Sequence, residues 1–439
     1  MRIESVAHSN KATVGHAGLS LISEMARICG LDDTTRGITP MKQPQISDPD
    51  ILRSLCGLIA QGKTDFDHIR EFAKDSFFQD SLGINRIPSA EILRQRFENM
   101  SCSKFENRIV DCCMQLARKT EVKPEYTTIG DGQWVRLDTD ITVFDNADTK
   151  KEGAGFTYDG RYGFSPIFAH LGGGWMVNAE LRPGSTHSFG PGTLDFVSQS
   201  LDNARQLVDD RLLFVADGGF DSKDLLDLLA REDTDFIIKH NLRNESKTQW
   251  LQDAKAHGRE VKSTPDKKVY QGSLFREVEG FDRPVRMVFE VTEIKSRKGQ
   301  LLLSPEVIVF SAWTSLDAPV EEVLQAYRDR GTSEQYHAEF KGELDMERLP
   351  SGKFAVNSAF LKMGMLVYNM FKVVGQDMVF AKALGLKKAT RRRMKTVMRS
   401  VMYMCGRITR HARKLVLHLA CPKPWYDFFS SLLMRLQAV

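Results

Sequence analysis

Tyr327, Arg330, Glu334 and Lys341 are spaced so that a single α-helix would gather them. At ~100° per residue they fall at roughly 0°, 300°, 340° and 320°, on one face. A carboxylate flanked by a phenol, a guanidinium and an ammonium could hold a metal ion and a phosphodiester together. A solvated charged helix face has the same pattern and is its commoner cause. Gly331 interrupts the stripe, because an interior glycine costs ~1 kcal/mol against alanine. If the helix restarts there with Thr332 or Ser333 as its N-cap, only Glu334 and Lys341 keep their register. One glutamate cannot hold a metal ion alone, so the chemistry requires acids from elsewhere in the chain.

Two places supply them. Val135, Leu137, Ile141 and Val143 alternate onto one side of a strand, which leaves Asp138, Asp140 and Thr142 on the other. Leu212 to Ala216 is an unbroken apolar run of strand length, as expected of a central parallel strand covered on both faces. Asp217 follows at its carboxyl end, where sites in α/β sheets gather, and precedes Gly218-Gly219. Taken singly, Asp217 could be a turn residue, and Asp138 and Asp140 an edge-strand solubility device. Together, Asp140 or Asp138, Asp217 and Glu334 form a hard-oxygen set that suits Mg²⁺ or Mn²⁺ and not zinc. Two such ions ~3.5 to 4 Å apart could activate water and stabilise the leaving oxygen of an attack on phosphorus. Arg330 and Lys341 would grip the flanking phosphates.

The elements that must position these acids follow from periodicity. Residues 1–125 read as a helical domain, with Leu19, Ile22, Met25 and Ala26, then Ile51, Leu52 and Leu55, then Ile92, Leu93 and Phe97 at turn spacing. The segment from Ser89 to Asn99, with Arg94 and Arg96, reads either as half of a DNA-reading helix pair or as plain helix surface. Residues 126–240 follow the order β-β-β-α-β-α-β, that of a ribonuclease-H-like core. Residues 241–305 form a β-rich insertion, and 306–385 resume the core with the Tyr327–Lys341 helix. Phe354 to Val374 should pack under the sheet, with Met363, Met365 and Met370 as core. The expected fold class is thus α/β: a ribonuclease-H-like catalytic core interrupted by a β-rich insertion, with a helical N-terminal domain and a basic helical region at 386–439.

Composition agrees with a soluble, multidomain globular protein: 439 residues, 42% hydrophobic and 27% charged. The net charge of +4 conceals a stretch from Lys387 to Lys414 that carries Lys388, Arg391, Arg392, Arg393, Lys395, Arg399, Arg407, Arg410 and Arg413 and no acid. With Met394, Val397, Met398, Val401 and Met402 interleaved, it reads as an amphipathic helix whose cationic face meets phosphate. Seven cysteines without paired CxxC spacing argue for reduced thiols, with Cys112-Cys113 as small buried residues. Met1 to Ser5 does not open a signal peptide, and no apolar run approaches a membrane span, so a cytoplasmic location is expected.

The spacing of Tyr327, Arg330, Glu334 and Lys341 resembles the YREK signature of DDE transposases of bacterial insertion sequences, in the insertion sequence 4 superfamily and group-1 DDE branch. Leu212 to Phe220 resembles that family's second-Asp motif, and Leu137 to Thr142 its first. The neighbourhoods of Leu181 to Gly184 and Gln95 to Asn99 resemble the group-1 branch. The resemblance implies Asp140, Asp217 and Glu334 as catalytic metal ligands for Mg²⁺ or Mn²⁺. Asp140 is preferred to Asp138 by the Asp-Ile-Thr order. It further implies Tyr327, Arg330 and Lys341 as contacts to transposon-end DNA, joined by Arg391, Arg392 and Arg393 of the basic stretch. Relatives that stack a flipped base on a tryptophan bring Trp313 into view, although a core or rim tryptophan is the simpler reading. The implied activity is cleavage at terminal inverted repeats and strand transfer into target DNA. A homodimer at paired ends, associated with the nucleoid, is expected. The rival readings are a metal-dependent nuclease without strand transfer and an inactive DNA-binding regulator on the same scaffold. A two-carboxylate sugar hydrolase leaves the basic stretch without a role.

Overall fold

Alternating and continuous apolar segments between Tyr126 and Thr314 pair into one ten-stranded sheet in a computed structural model that describes residues 14–38, 45–279, 281, 283–297, 300–411 and 414–439. The strands are β1 (Tyr126–Ile129), β2 (Gly132–Ile141), β3 (Ile167–Leu171), β4 (Trp175–Glu180), β5 (Leu212–Ala216), β6 (Asp235–Lys239), β7 (Gly258–Ser263), β8 (Lys267–Arg276), β9 (Val285–Arg297) and β10 (Gln300–Thr314). Their order is β7-β8-β9-β10-β6-β5-β2-β3-β4, with β1 also on β2. β2, β5 and β6 run parallel, and the other pairings are antiparallel. The sheet belongs to a unit of residues 123–147 and 153–337.

Helix α1 (Thr193–Arg205) leads from β4 to β5, and α2 (Lys223–Arg231) from β5 to β6. Between β6 and β7 lies α3 (Lys247–His257), which the strand-like composition of that region does not announce. The β-rich segment extends the same sheet: Ala312, Trp313 and Thr314 at the end of β10 pair with Lys239, Ile238 and Ile237 of β6. Helices α4 (Val320–Arg328) and α5 (Gly331–Ala338) follow. Leu213, Val215, Ile237, Val288 and Ala312 pack with Val323, Leu324 and Ala326 of α4 in one buried cluster. The continuous apolar run of β5 has this origin, because every residue from Leu212 to Ala216 is buried. Trp134 closes the cluster and donates its indole N–H to Asp235 at 2.7 Å.

The second unit comprises residues 1–122, 148–152 and 338–439. Its N-terminal helices include Leu19–Ile28, Asp48–Ile59, Ala90–Met100 and Ser103–Lys119. The side chains of Ser47 and Ser89 cap two of them by accepting from Asp50 and Ile92 amides. The long helix Phe354–Phe380 is buried along most of its length, with Met363, Met365 and Met370 in the core, but it packs in this unit against Ser103–Lys119 and not under the sheet as expected. Cys112 and Cys113 are buried in the same unit.

The single amphipathic helix expected after Lys387 does not form. Met394–Val397 is helical and Met398–Met402 is one π turn, and they bury Met394, Val397, Met398, Val401 and Met402. The chain then becomes a two-stranded ribbon, β11 (Gly406–His411) and β12 (Lys414–Leu419). Beyond Met402, Ile408 stands between Arg407 and Thr409, and Leu415-Val416-Leu417 is a short apolar run, patterns of strand and not of helix length. Arg413 and Met1 to Ser5 lie outside the described residues. Among the described residues no helix is long and apolar enough to cross a membrane.

Leu213, fully buried on the central parallel strand, sets a test of this core. Leu213→Ala is expected to lower unfolding free energy by about 2–5 kcal/mol, read as a lower denaturant midpoint; an unchanged midpoint would contradict the packing described.

Candidate active site

Parallel pairing of β2 with β5 places Thr139 opposite Ala216. Asp140 and Asp217, one residue further on each strand, therefore arrive at the same level of the sheet edge. The strand ends differ in what holds them. Asp217 accepts the Gly219 amide at 2.9 Å and opens the 3₁₀ turn Gly218–Phe220. A Cβ on Gly219 would lie 2.5 Å from Ser188 Oγ, so the turn needs glycine for close approach. Asp140 accepts the amide of Ile141 at 3.0 Å.

The counter-charge comes from the joint between two helices. Helix α4 ends at Arg328 and α5 begins at Gly331, so Tyr327, Arg330, Glu334 and Lys341 do not share the stripe expected of one helix. At the joint, Arg330 Nη2 lies 2.8 Å from Asp140 Oδ1. The guanidinium is largely buried, yet its Nε and Nη2 make no hydrogen bond among the described residues. It is held by charge without the alignment of a donor–acceptor pair.

The ionisation of this group follows from burial and from its neighbours. Burial, opposed by Arg330 and reinforced by the charge of Asp217, pushes the Asp140 carboxyl up to about 6. Burial raises the Tyr327 phenol to about 12; Arg330 opposes the rise, and Asp217 and Asp140 add to it. Burial works against the charge on Arg330, but Asp140, Tyr327 and Asp217 together hold it more firmly protonated. Asp140, Asp217, Tyr327 and Arg330 are thus one electrostatic cluster.

The remaining sequence candidates stand apart from it. Asp138 is buried, and both its oxygens accept from Arg136 Nη2, at 2.8 and 2.7 Å. Glu334 is exposed, with no ion pair or hydrogen bond among the described residues. Its orientation follows from the packing of α5, which buries Ser333, Tyr336 and His337. Tyr336 and His337 set their rings 5.2 and 5.4 Å from that of His170 on β3, and Glu334 is left facing outward. Lys341 lies on a π turn, Glu339–Glu343, in the other unit, 2.8 Å from Glu347. In that unit Arg391 donates to both oxygens of buried Glu339, at 2.9 and 3.1 Å, with Arg393 at 3.7 Å from the same carboxylate. Arg392 donates to the Lys387 carbonyl at 2.6 Å. Arg96 is buried against Asp48 and the Ile46 carbonyl, and Arg94 meets Asp67 at 3.4 Å, so both arginines near Ser89 have acidic partners.

As a metal site the cluster offers two carboxylates. Among the described residues no three His, Cys, Asp or Glu side chains are gathered for an ion. Two adjoining hard-oxygen donors nevertheless fit Mg²⁺, which usually takes one or two carboxylates and completes its shell with water and phosphate oxygens. The arginine drawn to Asp140 shows that this edge attracts positive charge.

A second network was not visible in the sequence. Asp221 lies four residues beyond Asp217, and its Oδ1 accepts the Trp313 indole N–H at 2.9 Å. Its Oδ2 accepts the Asn241 amide at 2.9 Å and lies 2.8 Å from His240 Nδ1. On the other side His240 Nε2 is 2.9 Å from Glu245, which also accepts from Trp250 at 2.7 Å and Arg276 at 2.8 Å. Trp313 is 8% exposed, so it is a structural tryptophan. The network ties the loop after β5 to β6, α3, β8 and β10. Tyr158 is another residue that motif reading passed over: burial, then the charges of Asp140, Asp159 and Asp217, push its phenol up.

Residues 5–439 match the family model described as Transposase DDE domain group 1. Among solved structures the chain is similar to a piggyBac transposase synaptic complex with hairpin DNA, solved by cryo-EM. The identity is 11% and the TM-score 0.42, over 97% of this chain and 82% of that one. Among curated proteins no sequence matches.

The histidine network has a defined pH window. Burial disfavours the charge on His240, but Asp221 and Glu245 overcome it and raise the pKa above 6.5. Despite burial, Asp221 and Glu245 are lowered from 3.8 and 4.5 by their hydrogen bonds. The histidine contribution is complete below its unfolded value and lost as pH rises through the higher folded value; the acids contribute above theirs. The stability difference between wild type and His240→Gln should therefore be largest at about pH 5–6 and shrink above about pH 7. Thermal unfolding across pH 5–9 tests this, and a difference that grows with pH would contradict a charged His240.

Proposed function

Because this chain belongs to the transposase DDE domain group 1 family, we propose that it binds the terminal inverted repeats of its element, cuts there with a divalent metal ion and joins the freed 3′-hydroxyl to target DNA. The observation that carries this reading is the Asp140–Asp217 pair at adjoining parallel strand ends, with Arg330 as its counter-charge. The strand order β4-β3-β2-β5-β6 supports a ribonuclease-H-like core. Within it, residues 126–240 and 306–337 would be the two halves and 241–305 the insertion, while 338–385, expected with the second half, belong to the other unit. The spacing of Tyr327, Arg330, Glu334 and Lys341 supports the YREK type of bacterial insertion sequences as the subtype.

Asp140 and Asp217 would hold Mg²⁺ or Mn²⁺, and Glu334 is assigned by its place in the signature as the third ligand. Such an ion, when bound, makes a coordinated water a nucleophile near neutral pH and stabilises charge on the leaving oxygen. Asp138 is the weaker choice of first ligand, because Arg136 holds both its oxygens. Arg330 Nε is buried without a hydrogen-bond partner among the described residues, and Nη2 faces Asp140 as an ion pair; both suit the oxygens of a phosphodiester. The Tyr327 phenol, kept protonated, can donate to the same backbone. Lys341, Arg391, Arg392 and Arg393 are assigned to DNA on signature and charge, with Arg391 required to leave Glu339. The residues before 125 would bind DNA or a second protomer, in a homodimer at paired ends. The cytoplasm, with the nucleoid as docking place, is the setting.

Duplex DNA carrying the gene's flanking repeats, incubated with the protein and Mg²⁺ or Mn²⁺, tests the reaction. Asp140→Asn, Asp217→Asn and Glu334→Gln are each expected to abolish cutting and leave duplex binding within a few-fold. Full activity in any of them removes that residue from the site. Nicking without joined product would favour the nuclease, and binding alone the regulator.

Arg330 yields a further expectation of opposite sign for two ligands. As the resident counter-ion of Asp140 it competes with a metal ion, and as a phosphate donor it assists DNA. Arg330→Gln should bind Mn²⁺ several-fold more tightly in the absence of DNA, by calorimetry, while binding duplex more weakly. Metal affinity equal to or below wild type would refute the counter-ion role.

A further inference from the structure

Two residues beyond β2, the chain enters a small three-stranded sheet in which Phe144–Asp145 and Gly155–Phe156 both pair with Tyr162–Phe164. The sheet thus springs from the strand end that carries Asp140. Its outer hairpin turns at Thr157-Tyr158-Asp159-Gly160, and the turn is heavily braced. The Gly160 amide donates to the Thr157 carbonyl at 3.0 Å, with Gly160 at φ +85°, and the Thr157 amide donates to the Arg161 carbonyl at 2.8 Å. Asp159 accepts from Thr157 Oγ1 at 2.7 Å, from the Arg161 amide at 3.2 Å and from Arg161 Nε at 2.8 Å. At the tip of this rigid turn Tyr158 is 60% exposed, and Phe156 beside it is 73% exposed, its ring edge-on to Tyr162 at 5.5 Å.

A fixed turn that holds two large aromatic rings in water needs a reason, because neither ring contributes much burial. The charges of Asp140, Asp159 and Asp217 all reach Tyr158, opposed by Arg161, so a phosphate there would meet three carboxylates against one guanidinium. A flat, neutral base would not, and every base offers a face for stacking. Resting on the proposed DNA-cutting activity, we infer that Tyr158, with Phe156 beside it, is a substrate-contacting residue that stacks against a nucleobase adjoining the phosphate held at Asp140 and Asp217. The bracing by Asp159, Arg161 and Thr157 fixes the turn that carries the ring, so little backbone freedom is lost on contact.

The test uses the full chain with duplexes of the gene's flanking repeats, 5-iodouracil replacing thymine one position at a time around the cleavage point. On irradiation the wild type should crosslink through residues 155–162, mapped by mass spectrometry. Tyr158→Ala should lose that crosslink and cut roughly tenfold or more slowly, with its melting temperature and bulk duplex affinity unchanged. Tyr158→Phe should keep both the crosslink and most of the rate. A wild type that cuts while Tyr158→Ala cuts equally fast, or that never crosslinks through this hairpin, overturns the stacking role and leaves the transposase reading intact. A wild type that neither binds nor cuts the duplex overturns both.

Discussion

The parallel pairing of β2 with β5 is the constraint on which the candidate site depends. Two strands from separate parts of the chain meet in a register that brings Asp140 and Asp217 to one level. Neither aspartate is favourable where it stands: one is largely buried, and their charges repel. The register is held nonetheless by the apolar residues behind it, Leu213 and Val215 among them, which lose all contact with water. A one-residue slip would turn the whole face of β2 outward. Hydrophobic packing thus holds two acids where their mutual electrostatics alone would not.

That arrangement demands positive charge, and the break between α4 and α5 delivers it. A continuous helix would carry Arg330 along a stripe with Glu334. The joint instead turns Arg330 inward to Asp140, while the burial of Tyr336 and His337 leaves Glu334 outward. Asp217 is bounded on its far side by the Asp221–His240–Glu245 network, which anchors the loop after β5 to four other elements. The acidic edge is therefore neighboured by a buried cation, held by charge without a hydrogen bond from Nε or Nη2 among the described residues, and by a hydrogen-bonded anchor. Buried, satisfied networks rigidify and unsatisfied ones invite a partner, which accords with Arg330 as the group that exchanges partners.

The basic ribbon makes the same point about context. Acid-free from Lys387 to Lys414, the stretch kept its helical period only as far as Met402. Beyond that, Ile408 among polar neighbours and the short apolar run Leu415 to Leu417 pair as strands. Charge composition, which led the reading of this region, is indifferent to secondary structure.

Much of the framework was legible in residue order because it rests on local periodicity. The apolar run of β5, the alternation of β2, the cap at Ser89 and the buried methionines of the long helix all follow from local sequence pattern. The positions of Asp140 and Asp217 at strand ends were legible for the same reason, as was the family signature from Tyr327 to Lys341. What residue order could not decide was where side chains turn once elements meet. The inward turn of Arg330, the outward turn of Glu334, the clasp of Arg136 on Asp138 and of Arg391 on Glu339, and the anchoring of Asp221 by Trp313 and His240 all join residues through space. Each depends on the burial and partner geometry of a second element, and those exist only after the sheet has closed.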